Sequence, residues 1–151
     1  MRRVPSKRPA KQRSQGVHPD AWPRPSGYSN GTLAPAGAQI LAVAGQVGWD
    51  LEGRIVSPRF HQQFARALEN VVTVVRAAGG APADLIRLTI FVVDRKEYAR
   101  EKRLVGAHYR RILGRHYPAC TLVEVSGLLE KGAKVEIEAT AAILGRNRGA
   151  P

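Results

Sequence analysis

The apolar positions of this chain change period several times, and each change predicts an element. Phe60, Phe64, Leu68, Val71 and Val75 recur at spacings of 4, 4, 3 and 4. That stripe predicts an amphipathic helix. Ser57-Pro58 in front of it reads as an N-cap followed by proline at the first helical position, and Gly79-Gly80 ends it. A second helix is predicted over 96–113, capped by Asp94. Tyr98, Val105, Tyr109 and Ile112 form its inner face, and Lys96, Arg100, Lys102, Arg103, Arg110 and Arg111 its solvated face. Between the helices, "DLIRLTIFVVD" (84–94) is β-branched and predicts a strand. Ile86, Leu88, Ile90 and Val92 share one side of it; Arg87, Thr89 and Phe91 share the other. Further strands are predicted at 27–35, 38–47, 119–126 and 133–144. "GWDLEGRIV" (48–56) reads as a loop or hairpin with Gly53 at its tip.

The order is therefore β-β-α-β-α-β-β, an α+β two-layer domain with both helices on one face of a mixed sheet. The opposite face stays uncovered. In the strand at 119–126, Thr121, Val123 and Val125 alternate with Cys120, Leu122, Glu124 and Ser126. In the last strand, Val135, Ile137, Ala139, Ala141 and Ile143 alternate with Lys134, Glu136, Glu138, Thr140 and Ala142. Placing the all-apolar sets under the helices puts Cys120, Glu124, Glu136 and Glu138 together on the uncovered face. Arg87 and Thr89 join them there. A face that mixes these groups with Leu122, Phe91 and Ala142 fits an oligomer interface enclosing a polar pocket. The alternative is a solvated face whose Arg–Glu pairs contribute little. A carboxylate enclosed in such a pocket is a candidate general acid or base.

Composition adds boundaries. A chain of 151 residues suits one domain with its own core. Pro5, Pro9, Pro19, Pro23 and Pro25 exclude regular elements near the start. Residues 1–20 are expected to form a basic, disordered tail, 21–145 the domain and 146–151 a C-terminal tail. Trp22 is expected to anchor the lead-in. Eight of the twelve net positive charges lie in the tails, on Arg2, Arg3, Lys7, Arg8, Lys11, Arg13, Arg146 and Arg148. No aromatic–basic interleaving accompanies them, so nucleic acid is not the expected partner. One cysteine excludes an internal disulfide, and no His/Cys/Asp cluster has metal spacing. No signal-peptide pattern and no membrane-length apolar run is present, so a cytoplasmic protein without a membrane partner is expected.

Several short stretches then follow one another in a familiar order. They are Gly27-Tyr28-Ser29, Ala44-Gly45-Gln46, Leu68-Glu69-Asn70-Val71, Thr89-Ile90-Phe91-Val92, Pro118-Ala119, Thr121-Leu122-Val123-Glu124-Val125 and Val135-Glu136-Ile137-Glu138-Ala139. Over about 25–144 the chain resembles the Rid family (YjgF-like, reactive intermediate deaminases). The resemblance implies a chorismate-mutase-like fold and a homotrimer with ligand clefts between subunits. It implies hydrolysis of enamines or imines without metal or organic cofactor. Residue by residue, it places the family's substrate-binding tyrosine on Tyr28. The backbone position that helps hold substrate falls on Ala44 and Gly45, and the glutamate that handles water on Glu136. The family's carboxylate-clamping arginine falls on Cys120, which cannot make a bidentate ion pair.

That departure places the chain in a branch lacking the arginine. "GYSNG" (27–31) and "GQVGWD" (45–50) resemble the 2-aminomuconate-type deaminases. Arg87 is the candidate replacement cation, and Trp49 is a candidate wall for a flat, conjugated ligand. The leading expectation is a deaminase-like hydrolase for an enamine or imine. A non-catalytic metabolite-binding or regulatory trimer stands as the alternative. An endoribonuclease or translation-inhibitor type of RNA activity is the third, with only the basic tail in its favour.

Overall fold

Four strands form the central sheet in the order β3-β6-β4-β5. The structure, a computed structural model, describes residues 13–145. Its elements are β1 (Gln15–Val17), β2 (Gly31–Leu33), β3 (Gln39–Val47), α1 (Phe60–Ala77), β4 (Leu85–Val92), α2 (Arg95–Leu113), β5 (Ala119–Glu124) and β6 (Val135–Ile143). β6 runs antiparallel to both β3 and β4, while β4 and β5 are parallel, so the sheet is mixed as expected.

Both helices lie on one face. α1 packs over β3 and β6, and α2 packs beside α1. The predicted stripe of Phe60, Phe64, Leu68, Val71 and Val75 is buried throughout and meets Val43, Leu88, Ile137, Ala139 and Ala141 from the sheet. Asp94 caps α2 as predicted, its carboxylate accepting from the N–H groups of Lys96 (2.8 Å) and Glu97 (3.2 Å). Those two hydrogen bonds hold its pKa below the usual value. The start of α1 differs from expectation. The Ser57 hydroxyl accepts from Arg59 N–H, and the helix begins at Phe60, two residues after Pro58. Ser57 closes a local turn there instead of capping the helix.

Two further differences concern the N-terminal side. β1 lies inside the stretch expected to be tail, where it pairs antiparallel with β2, Gly16 opposite Thr32. Residues 1–12 and 146–151, which hold most of the tail charge, lie outside the described residues. Trp22, expected to anchor the lead-in, is 59% exposed.

One buried polar residue ties the layers together. Gln63, on α1, has no exposed surface. Its Nε2 donates to the carbonyls of Ser57 (2.8 Å) and Gly132 (3.0 Å), and its Oε1 accepts from Lys134 N–H (2.8 Å). The loop before α1 and the loop before β6 are thus joined through a single amide. Gly48 packs directly on this residue: a Cβ there would stand 2.7 Å from the Gln63 Cα.

Candidate functional site

The register decides which side chains share a face. Thr89 lies opposite both Thr121 and Glu138, and Phe91 opposite both Val123 and Glu136. These residues, with Arg87, form the sheet face that no helix covers. Glu136, Glu138, Arg87 and Thr89 are therefore together, as the alternation predicted. Thr89 is buried, yet its hydroxyl has no hydrogen-bond partner among the described residues. A cavity of about 140 Å³ opens beside it, lined also by Arg87, Glu138 and Thr140.

Cys120 is not on that face. It lies opposite Leu88, and Leu122 opposite Ile90, in the parallel pairing of β5 with β4. Leu88 and Ile90 belong to the core under the helices, and Cys120 and Leu122 pack against it. Thr121 and Val123, expected under the helices, point to the bare face and are exposed. β5 is the edge strand, so neither of its sides is fully covered and its composition does not report which is inner. Glu124 follows Cys120 to the helix side, where its carboxylate accepts from Arg95 N–H at the start of α2 (2.8 Å).

Glu136 is half-buried and lies against the backbone of Gly45. A Cβ at Gly45 would overlap its carboxylate, standing 2.8 Å from the Cδ. The β3–β6 ladder slips between Val43 and Gln46, leaving Ala44 and Gly45 without register partners on β6. A bulge of this kind turns backbone groups out of the ladder, and such bulges recur beside active sites. Glu136 takes part in none of the ion pairs. The bare face therefore presents a carboxylate with no ion-pair partner among the described residues, beside bulged backbone whose Ala44 carbonyl accepts from Gln46 Nε2 at 3.2 Å.

Tyr28 and Cys120 meet elsewhere. They line a cavity of about 570 Å³ at the β5 edge, closed on its other side by α2. Burial pushes the Cys120 thiol up to about 11. It is a neutral wall group at physiological pH, unsuited to nucleophilic attack. Its alkylation by iodoacetamide at pH 7.5 is expected to run roughly 100-fold slower in the folded protein than in urea, matching the displacement from 9.0. Comparable rates in the two states would contradict the burial. The raised pKa favours folding fully below pH 9 and ceases to do so as pH rises through about 11. Cys120→Ala removes that part of the alkaline loss of stability.

Trp49 sits at the neck of the predicted hairpin, bridged to Ile55, and Gly53 at the tip has φ 75°. The Trp49 carbonyl accepts from Asn70 Nδ2. It does not line the cavity that Tyr28 lines. One chain thus brings together Glu136 with Ala44 and Gly45, and separately Tyr28 with Cys120, on opposite sides of the sheet. Among the described residues no group of three His, Cys, Asp or Glu side chains is placed to hold a metal ion, and no helix is long and apolar enough to cross a membrane.

Fold and site together define a two-layer α+β domain with a bare, partly charged sheet face and an edge cavity. The sequence signature of the endoribonuclease L-PSP family matches residues 23–143. A RutC family protein of Pyrococcus horikoshii is 34% identical over 121 residues, covering 79% of this chain and 90% of its own. A 2-iminobutanoate/2-iminopropanoate deaminase of Salmonella typhimurium is 34% identical over 105 residues, covering 68% and 78%. A Yersinia pestis structure described as belonging to the conserved Rid protein family superposes with a TM-score of 0.73 at 29% identity, covering 87% of this chain and all of that one. The chain belongs to this family, the endoribonuclease L-PSP or Rid/YjgF family.

Proposed function

We propose that the protein is a hydrolase that deaminates a small enamine or imine without an organic cofactor. In this reading it works as a homotrimer with its clefts between copies. The observation that carries the reading is the uncommitted Glu136 carboxylate held against the bulged backbone at Gly45. The deaminase names of relatives such as the Salmonella protein support it. Glu136 takes a proton from water as its oxygen adds to the imine carbon and passes that proton to the imine nitrogen, which gives a neutral carbinolamine. The carbinolamine then breaks its C–N bond, releasing ammonia and a carbonyl compound. Tyr28 hydrogen-bonds the substrate, and the Gly45 N–H holds an oxygen.

The same geometry supports assembly. Glu136 and Tyr28 lie on opposite sides of one sheet, so a cleft using both needs a second copy. The bare face supports such packing: Ile40 on the β3 edge is 62% exposed, Val123 on the opposite β5 edge is exposed as well, and the Thr89 hydroxyl between them has no partner among the described residues. The test is ammonia release from 2-iminopropanoate generated in solution and from 2-aminomuconate. Release well above the buffer rate is expected from at least one. Buffer-level rates on both, from a protein that light scattering shows to be three 16.4-kDa chains, would sink the enzymatic reading.

A second reading rests on Cys120 standing where the resemblance places the clamping arginine. In that reading the trimer binds a metabolite without turning it over. Ligand-dependent thermal stabilisation with no product would select it.

A further inference from the structure

The edge cavity holds an unusual share of the chain's aromatic chemistry. The protein has four tyrosines, and all four, Tyr28, Tyr98, Tyr109 and Tyr117, line this one cavity. Two of them are partly structural. Tyr109 lies parallel to Tyr117, with ring centres 5.9 Å apart, and donates to the His116 carbonyl at 3.0 Å. Tyr98 meets Phe60 edge-on at 6.0 Å. The floor is apolar, formed by Phe64, Ile90, Leu122 and the neutral Cys120. A volume of about 570 Å³ lies within the range of small-molecule sites.

The charge around it is one-sided. Among the described residues, the only ionised side chains lining the cavity are Lys102 and Arg110, and no carboxylate lines it. Both cations come from α2, on either side of Gly106. Solvated charge is the ordinary explanation for a basic helix, but these two differ from their neighbours. Arg111 is paired with Glu69 across the helices at 2.9 Å. Neither Lys102 nor Arg110 enters an ion pair among the described residues. The Arg110 guanidinium folds back over Gly106, where a Cβ would stand 3.3 Å from its Nη1. The missing side chain at 106 leaves room for that guanidinium at the cavity wall. Helical side chains lean toward the N-terminus, which is the direction this contact requires.

We propose that this cavity binds a flat, aromatic or conjugated carboxylate, with Lys102 and Arg110 of α2 supplying the counter-charge that position 120 does not. The tyrosine rings take the apolar body, and the cations take the carboxylate. The inference deepens the reading of this cleft as the ligand site, and it names the substrate class without depending on turnover.

The experiment is calorimetric titration of the full chain with trans-cinnamate, its neutral isostere cinnamamide, and propanoate. Cinnamate is expected to bind at least about ten-fold more tightly than either. Arg110→Gln and Lys102→Gln are expected to weaken cinnamate by roughly ten-fold together while leaving cinnamamide unchanged. Arg103→Gln, a cation of the same helix that does not line the cavity, serves as the control and should bind like the parent. Equal affinity for cinnamate and cinnamamide, equal losses at Arg103 and Arg110, or no binding of cinnamate would each overturn the proposal. The two readings separate cleanly. Cinnamate binding without ammonia release from any imine sinks the deaminase and keeps this site. Turnover of a small aliphatic imine untouched by the Arg110→Gln and Lys102→Gln changes sinks this site and keeps the deaminase.

Discussion

Glu136→Gln is expected to lower the maximal rate of ammonia release from an imine by roughly 10²–10⁴-fold, the usual contribution of a positioned general base. Glutamine keeps the shape of the side chain against Gly45, so packing on the bulge is unchanged. It replaces a proton-accepting oxygen with a donating nitrogen, which cannot take a proton from water. The loss therefore falls on kcat, with KM moved little, because water activation matters only in the transition state. The melting temperature stays that of the parent, since Glu136 contributes no ion pair to the fold. A kcat within three-fold of the parent on the best imine would remove Glu136 from the mechanism.

Gln63→Leu destabilises the protein by roughly 3 kcal/mol, read as a shift of the urea midpoint at unchanged slope. The side chain is similar in size and wholly buried, so the apolar replacement fits the space. What it cannot do is meet the carbonyls of Ser57 and Gly132 and the N–H of Lys134. Each stranded backbone group costs about 1–3 kcal/mol where water cannot reach it. Because Ser57 and Gly132 lie toward the surface, the lower part of that range applies. Against a total stability of about 5–15 kcal/mol the loss is large. A change below about 1 kcal/mol would show that the two loops stay paired through water instead.

The two helices were legible because their apolar stripes are long and repeat through four turns. A single misplaced residue does not change such a reading. The bare sheet face was legible in β6, where Val135, Ile137, Ala139, Ala141 and Ile143 leave no doubt about the inner side. It was misread in β5. Alternation says that Cys120 and Leu122 share a side, but not which side. In an edge strand Thr121 and Val123 are apolar enough to pass for a core set. The parallel register with β4 decides the matter, and register depends on residues thirty positions away. β1 was not legible either: Gln15-Gly16-Val17 carries no strand pattern, and its extended form comes from pairing with β2.

Gln63 reads in the sequence as one polar residue between stripe positions. Its value comes from two distant loops arriving at the same amide. The four tyrosines are likewise spread over ninety positions, and nothing in their spacing predicts one cavity. Local periodicity settled the helices, the main strands and the layers, because those depend on which residues alternate along one segment, and the order of short motifs along the chain carried the family resemblance. Long-range pairing decided the face of Cys120, the separation of Tyr28 from Glu136, and the meeting of four aromatic rings with two cations, because each depends on where remote segments come together.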